Sequence, residues 1–142
     1  MHPIDKRIQK FIQEHHILTI ATSNNNNPYC ATCFYIFLED LNMFVFTSDE
    51  NTKHINDIEK QKSVAGAIAL ETKIIGKIRG IQFTGIIKKL KGEEQKTAKR
   101  AYLKAFPYAI LMQTHLWGVE VDFIKMTDNR LGFGKKIIWK KV

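Results

Sequence analysis

The chain is poor in cysteine, proline and acidic side chains. Its 142 residues include two cysteines and three prolines, and 14 Asp plus Glu stand against 22 Lys plus Arg. Two cysteines cannot build the disulfide frame of a small secreted domain. No apolar run approaches the roughly 20 residues that span a bilayer. Residues Met1 to Gln13 lack the apolar stretch and small-residue cleavage site of a secretory signal. Linkers, repeats and low-complexity tracts are missing as well. The expectation is one domain over residues 1–142, in the cytoplasm.

What is present fits a folded domain. Hydrophobic residues make up 44% and charged residues 25%. A chain of this length buries about 68–70% of its unfolded surface and needs no metal or disulfide staple. The net charge is +8, and it is uneven. Residues 1–71 carry six basic and nine acidic side chains, while residues 72–142 carry sixteen and five. A basic half of this kind suits nucleic acid, an acidic membrane surface, a phosphate-bearing ligand or a solvated face.

The apolar pattern predicts an amphipathic helix over 3–16, through Ile4, Ile8, Phe11 and Ile12. β-Branched and apolar runs predict strands at 17–22, 29–38 and 43–47. Asn24 to Pro28 between the first two is a turn signal. A helix follows over 51–60 with Asn51 as N-cap, then a strand over 64–70. Residues 73–90 read as one long strand interrupted by Gly80 and Gly85, which mark bulges or close approaches. A helix over 93–106 stops at Pro107. Alternation from Trp117 to Phe123 predicts another strand, Thr127 to Asn129 a turn, and Ile137 to Trp139 a last short strand. Serial strands on short turns favour an antiparallel barrel.

Several segments carry residues suited to chemistry. Cys30 and Cys33 form a C-x-x-C. On a strand, positions three apart lie about 10 Å apart and on opposite faces, too far for a disulfide. Both are expected as buried free thiols. Thr47 and Ser48 end a strand, and Thr52, Lys53 and His54 begin a helix. Hydroxyls, a Lys and helix N–H groups are what a phosphate monoester needs, and a plain N-cap uses the same residues. Arg79, Gly80 and Gln82 fit a strand under a flat polar ligand, or a barrel bend. Gly132 to Trp139 holds glycines, lysines and a Trp, but it is no P-loop or dinucleotide fingerprint. Lys88, Lys89, Lys91, Lys96, Lys99, Arg100 and Lys104 form a basic run that reads as a solvated face or a phosphate-binding stripe.

These segments, taken in order along nearly the whole chain, give it a resemblance. The carriers are Cys30 to Tyr35, Thr52-Lys53-His54, Arg79 to Gly85, Gly92-Glu93-Glu94 with Ala101-Tyr102 and Phe106-Pro107, and Thr127-Asp128-Asn129 through Gly132 to Trp139. The chain resembles the FMN-binding split-barrel proteins related to pyridoxamine 5′-phosphate oxidase, and within them the short bacterial YhbP-type family. The resemblance implies a mainly β fold with flanking helices, a six-stranded antiparallel split β-barrel. It implies a homodimer with two FMN sites at the interface and a flavin-dependent oxidoreductase with a small-molecule substrate. Ala31, Thr32, Cys33 and Phe34 would lie under the flavin ring. Thr47, Ser48, Thr52, Lys53 and His54 would hold its phosphate. Gly80 and Gln82 would border the site, and Lys135 and Trp139 would come from the partner subunit. The oxidases' basic residues on the second strand are absent here, as is their pyridoxal-phosphate-binding set. No residue stands out as an acid or base. Other split barrels hold haem or a deazaflavin, for which His54 or His115 is the candidate iron ligand. The remaining alternative is a non-enzymatic basic barrel that binds nucleic acid.

Overall fold

A computed structural model describes residues 2–111 and 115–142. Seven antiparallel strands and three helices account for most of them. Helix α1 spans Lys6–Glu14, and strands β1 and β2 span Ile17–Asn24 and Asn27–Leu38. Strand β3 is Met43–Ser48, helix α2 is Lys53–Lys60, and strand β4 is Ser63–Ala69. Strand β5 is Arg79–Lys89 and helix α3 is Gly92–Ala105. Strands β6 and β7 are His115–Asp128 and Lys136–Lys140.

The sheet runs β3-β2-β1-β4-β5-β6, and β3 then pairs with β6 to close a six-stranded barrel. Strand β7 is a seventh, added strand. Closure depends on strands that change neighbours along their length. The first half of β6 pairs with β3, from His115 to Glu120, and its second half with β7, from Phe123 to Thr127. Strand β2 likewise leaves β1 at Phe34 and pairs with β3 from Tyr35 onward. This is the split barrel that the resemblance implies.

Local chemistry explains the connections. Asn25 and Asn26 both take positive φ, 51° and 65°, so the β1–β2 hairpin turns on two left-handed residues, which Asn tolerates. Gly85 stands at a bulge where β5 slips register against β6. A Cβ there would run into the Glu120 carbonyl, so only glycine fits. The predicted strand over 73–90 is too long at its start. Ile75–Lys77 is a single helical turn, and β5 begins at Arg79. Thr72 accepts the Ile74 N–H there, and the Ile74 and Ile75 side chains stay exposed. The first helix is also shorter than predicted, because Asp5 caps it by accepting the Arg7 N–H at 2.8 Å. In α2 the N-cap is Thr52 rather than Asn51, whose N–H donates to Asp49.

The core has two compartments. Phe44, Phe46, Phe83 and Tyr35 fill the barrel, with the Phe44 and Phe83 rings stacked 4.4 Å apart. Helix α1 plugs one end through Ile8, Phe11 and Ile12. Burial of each such side chain stabilises the fold by about 1.5–3 kcal/mol. Tyr35 fixes the plug by donating from its hydroxyl to the Ile12 carbonyl at 2.5 Å. Met43 and Val45 point outward from β3 and meet Leu90, Ala98 and Tyr102 beneath α3. Both faces of β3 are thus covered, which is why its sequence is apolar without alternation. Among the described residues, no helix is long and apolar enough to cross a membrane.

Candidate functional site

The docking of α3 against β2 and β3 leaves a cleft of about 640 Å³, a size ordinary for a cofactor site. One wall is β2, with Thr32, Cys33 and Phe34. The opposite wall is the end of α3 and the turn after it, with Tyr102, Ala105, Phe106 and Tyr108. Thr47 and Ser48 at the end of β3, together with His54 of α2, form the polar end.

The wall is largely aromatic. Phe106 lies 5.6 Å from Phe34 and 5.1 Å from Tyr102, ring centre to ring centre. The Tyr102 hydroxyl donates to the Phe34 carbonyl at 3.2 Å, which ties α3 to β2. Burial pushes the Tyr102 phenol above its ordinary pKa. Burial also pushes the Cys33 thiol up to about 11, so at neutral pH it is a neutral thiol. Cys33 is buried as expected, whereas Cys30 is exposed. The two point to opposite faces of β2, Cys33 into the barrel and Cys30 outward on the face that carries Thr32 and Phe34.

The polar end is a tight group of neutral donors and acceptors. Ser48 Oγ and His54 Nε2 are 2.5 Å apart, and Ser48 Oγ lies 3.5 Å from Thr52 Oγ1. Thr52 Oγ1 donates to the Asp49 carbonyl at 2.8 Å. Burial lowers the His54 pKa, opposed by the nearby charge of Asp57. The resting imidazole is therefore neutral at pH 7. The α2 N-terminus opens onto this group, so unpaired N–H groups and the helix dipole favour an anion there.

Lys53 does not line the cleft. Its ammonium donates to both oxygens of Asp57, at 2.7 and 2.9 Å, and lies 5.3 Å from the centre of the Tyr29 ring. Asp57 is buried, accepts a further bond from Thr22, and is held below the usual carboxylate range mainly by Lys53. Asp49 and Glu50 do not face the site as free charges. Asp49 accepts the Asn51 N–H, and Glu50 accepts from Lys89 beside His115.

The remaining sequence candidates lie elsewhere in the subunit. Ala31 is half-buried against the barrel core. Gly80 sits between Ala69 and Thr127, and the group nearest to a Cβ placed there would be the Ile68 carbonyl. Gln82 is exposed on the outer face of β5. Lys135 is exposed at the end of a turn held by positive-φ Gly132 and Gly134. Trp139 is buried in its own subunit, its indole N–H donating to the His2 carbonyl at 2.9 Å. Much of the basic run is paired: Lys88 with Glu94 and Glu120, Lys89 with Glu50, and Lys96 with Glu93.

Sequence reasoning put Tyr102 and Phe106 on a helix but did not connect them to the site. Their i, i+4 spacing and the Pro that follows were the available signal: one aromatic face at the very end of a helix.

No family model matches the chain. It is 40% identical over 134 residues to a UPF0306 protein of Photorhabdus laumondii, covering 94% of both chains. It is 37% identical over 132 residues to the UPF0306 protein YhbP of Escherichia fergusonii, covering 93% of this chain and 90% of that one. Among solved structures, a haem-binding protein from Mycobacterium smegmatis superposes with a TM-score of 0.80 at 16% identity. That alignment takes in 99% of this chain and 59% of the other. A FAD-binding protein from Mesorhizobium loti superposes with a TM-score of 0.70 at 9% identity, over 87% of this chain and 93% of that one. At such identities the structural likeness is one of fold, and the fold is the split barrel.

Proposed function

This chain belongs to the YhbP-type UPF0306 family, and from that premise we propose that it binds FMN in the cleft between β2 and α3 and acts as a flavin-dependent oxidoreductase on a small molecule. One observation carries the reading: a single cleft is aromatic and apolar along its walls and closes on hydroxyls, an imidazole and a helix N-terminus. That donor set matches a flat ring that ends in a phosphate. Thr32, Cys33 and Phe34 lie along the ring, with Ala31 behind them in the strand. Thr47, Ser48, Thr52 and His54 hold the phosphate with the first N–H groups of α2, and Lys53 joins them by releasing Asp57. FMN, when bound, supplies hydride or single-electron transfer. The chain's own part is to bind and orient it, and Phe34, Tyr102 and Phe106 keep water from the ring. The reading includes a homodimer in which the partner subunit's Gly132–Lys135 turn closes the open side of the cleft.

The test is the absorption spectrum of freshly purified protein, followed by titration with FMN. A flavin spectrum, or saturable uptake of added FMN by a dimer, is expected. A colourless protein that takes up no FMN overturns the reading. Ser48→Ala should weaken FMN binding by roughly tenfold, the value of a hydrogen bond to a charged group. An unchanged affinity in Lys53→Ala removes Lys53 from the phosphate set.

A second reading has its own support. The superposition on a haem-binding protein and an imidazole in the cleft wall favour haem. His54 would serve as the iron ligand by leaving Ser48, while His115 stands outside the cleft beside Glu50. A Soret band in the same spectrum selects this reading. The nucleic-acid reading needs Lys88, Lys89 and Lys96 to leave their carboxylates. It predicts a nucleic-acid absorbance that high salt removes.

A further inference from the structure

A second cleft, of about 290 Å³, lies where α1 crosses the start of β5 and the end of β6. It shares no residue with the first, and its reading does not rest on the flavin. Three guanidinium groups border it, from Arg7, Arg79 and Arg130. Arg7 and Arg130 are engaged by carboxylates two residues away, Asp5 at 2.8 Å and Asp128 at 2.9 Å. Both pairs are reinforced through Nε, which fixes the planes of the two forks.

Arg79 is different. Its side chain is only 16% exposed, and its Nε is sealed from solvent without a hydrogen-bond partner. Its one ion pair among the described residues is a long contact of 3.5 Å to Glu14. The guanidinium rests on the Phe11 ring, 5.4 Å from its centre. A largely buried guanidinium with donors to spare carries a desolvation cost that its own subunit does not offset.

We propose that this cleft binds a small oxyanion, a phosphate or a carboxylate, on the Arg79 guanidinium. The planar fork of arginine suits both groups, which share the bidentate acceptor geometry. Arg7 and Arg130, each already held by its own carboxylate, do not compete for the ligand. The carboxylates that face the cleft are Asp128, already taken by Arg130, and Glu14, which alone occupies Arg79. Glu14 has a second cation 4.0 Å away, Lys10, to which it moves when an anion arrives. Glu14 is thus a built-in competitor for the site.

Calorimetric titration of the intact protein with inorganic phosphate, and separately with succinate, tests this. Either ligand binding identifies the source class, and binding of neither overturns the proposal. Glu14→Gln removes the competitor and should raise affinity severalfold. Arg79→Gln should lower it by roughly tenfold or more, the worth of a charge-assisted pair. Should Arg79→Gln fail to fold, Glu14→Gln still decides, because affinity that does not rise in that variant refutes the assignment. Equal binding in wild type and Arg79→Gln also refutes it.

Discussion

The two clefts of this barrel would hold ligands by opposite means. The one between β2 and α3 is lined by aromatic rings, hydroxyls and a neutral imidazole, and Lys53, next to His54, is turned away onto Asp57. The one beneath α1 is lined by three guanidinium groups and two carboxylates, with a single aromatic ring as its floor. Apolar contact serves a large, flat ring and changes little with salt, and neutral donors at one end suffice for a single terminal phosphate. Charge–charge contact serves a compact anion and is sensitive to salt and to each competing carboxylate. One fold thus offers two recognition chemistries because its helices dock differently, α3 on the outer face of β2 and β3 and α1 across an end of the barrel.

The largest expected effect is a block. Ala105→Trp places an indole in the α3 wall of the first cleft and should abolish FMN binding, read by flavin fluorescence. Phosphate or succinate binding beneath α1 should persist in the same variant. Loss of both would break the separation of the clefts. Raising salt from about 50 mM to 500 mM shortens the screening length severalfold. Oxyanion affinity beneath α1 should then drop steeply while FMN affinity falls less, and equal slopes would erase the contrast.

Acid should act on the second cleft through Asp128. Its pKa lies below the ordinary carboxylate value, chiefly because of the hydrogen bonds from Arg130. The stability it contributes is therefore complete above its unfolded pKa of about 3.9 and is lost as pH falls through the lower folded value. Thermal unfolding followed from pH 7 to pH 2 should show a decline in Tm, and Asp128→Asn should flatten that decline. The smallest effect is Tyr35→Phe, which removes the bond from β2 to the Ile12 carbonyl of α1. It should cost about 1 kcal/mol in urea unfolding. It should also loosen the second cleft, which α1 covers, more than the first.

The sequence was most legible where patterning is strong and local. Every strand that closes the barrel was foreseen, because alternation and β-branched runs report burial directly. The start of β5 was misread for an instructive reason. Ile74 and Ile75 look like strand residues, yet they stand exposed at a helical turn, and no local pattern separates an apolar turn from an apolar strand end. Thr32, Cys33, Phe34, Thr47, Ser48 and His54, all candidates from the sequence, line one cleft, and the strands and the helix start that carry them are what the pattern reveals. Lys53 was read for its charge alone. Asp57 four residues later is the i, i+4 partner that takes the ammonium, and that spacing was visible from the start. The cleft beneath α1 was beyond sequence reach. Arg7, Arg79 and Arg130 come from three distant parts of the chain, and only barrel closure brings them together.

The added strand has a consequence of another kind. Of the seven strands among the described residues, β7 alone pairs with a single neighbour, β6. A bare row of backbone donors and acceptors is where a foreign strand would attach and where aggregation would start. This edge is five residues long and carries a lysine at each end, Lys136 and Lys140, with Lys141 just beyond. An incoming strand of similar composition would bring like charges together along a very short ladder. Part of the basic excess of the chain's second half thus serves to keep copies of the barrel from joining edge to edge.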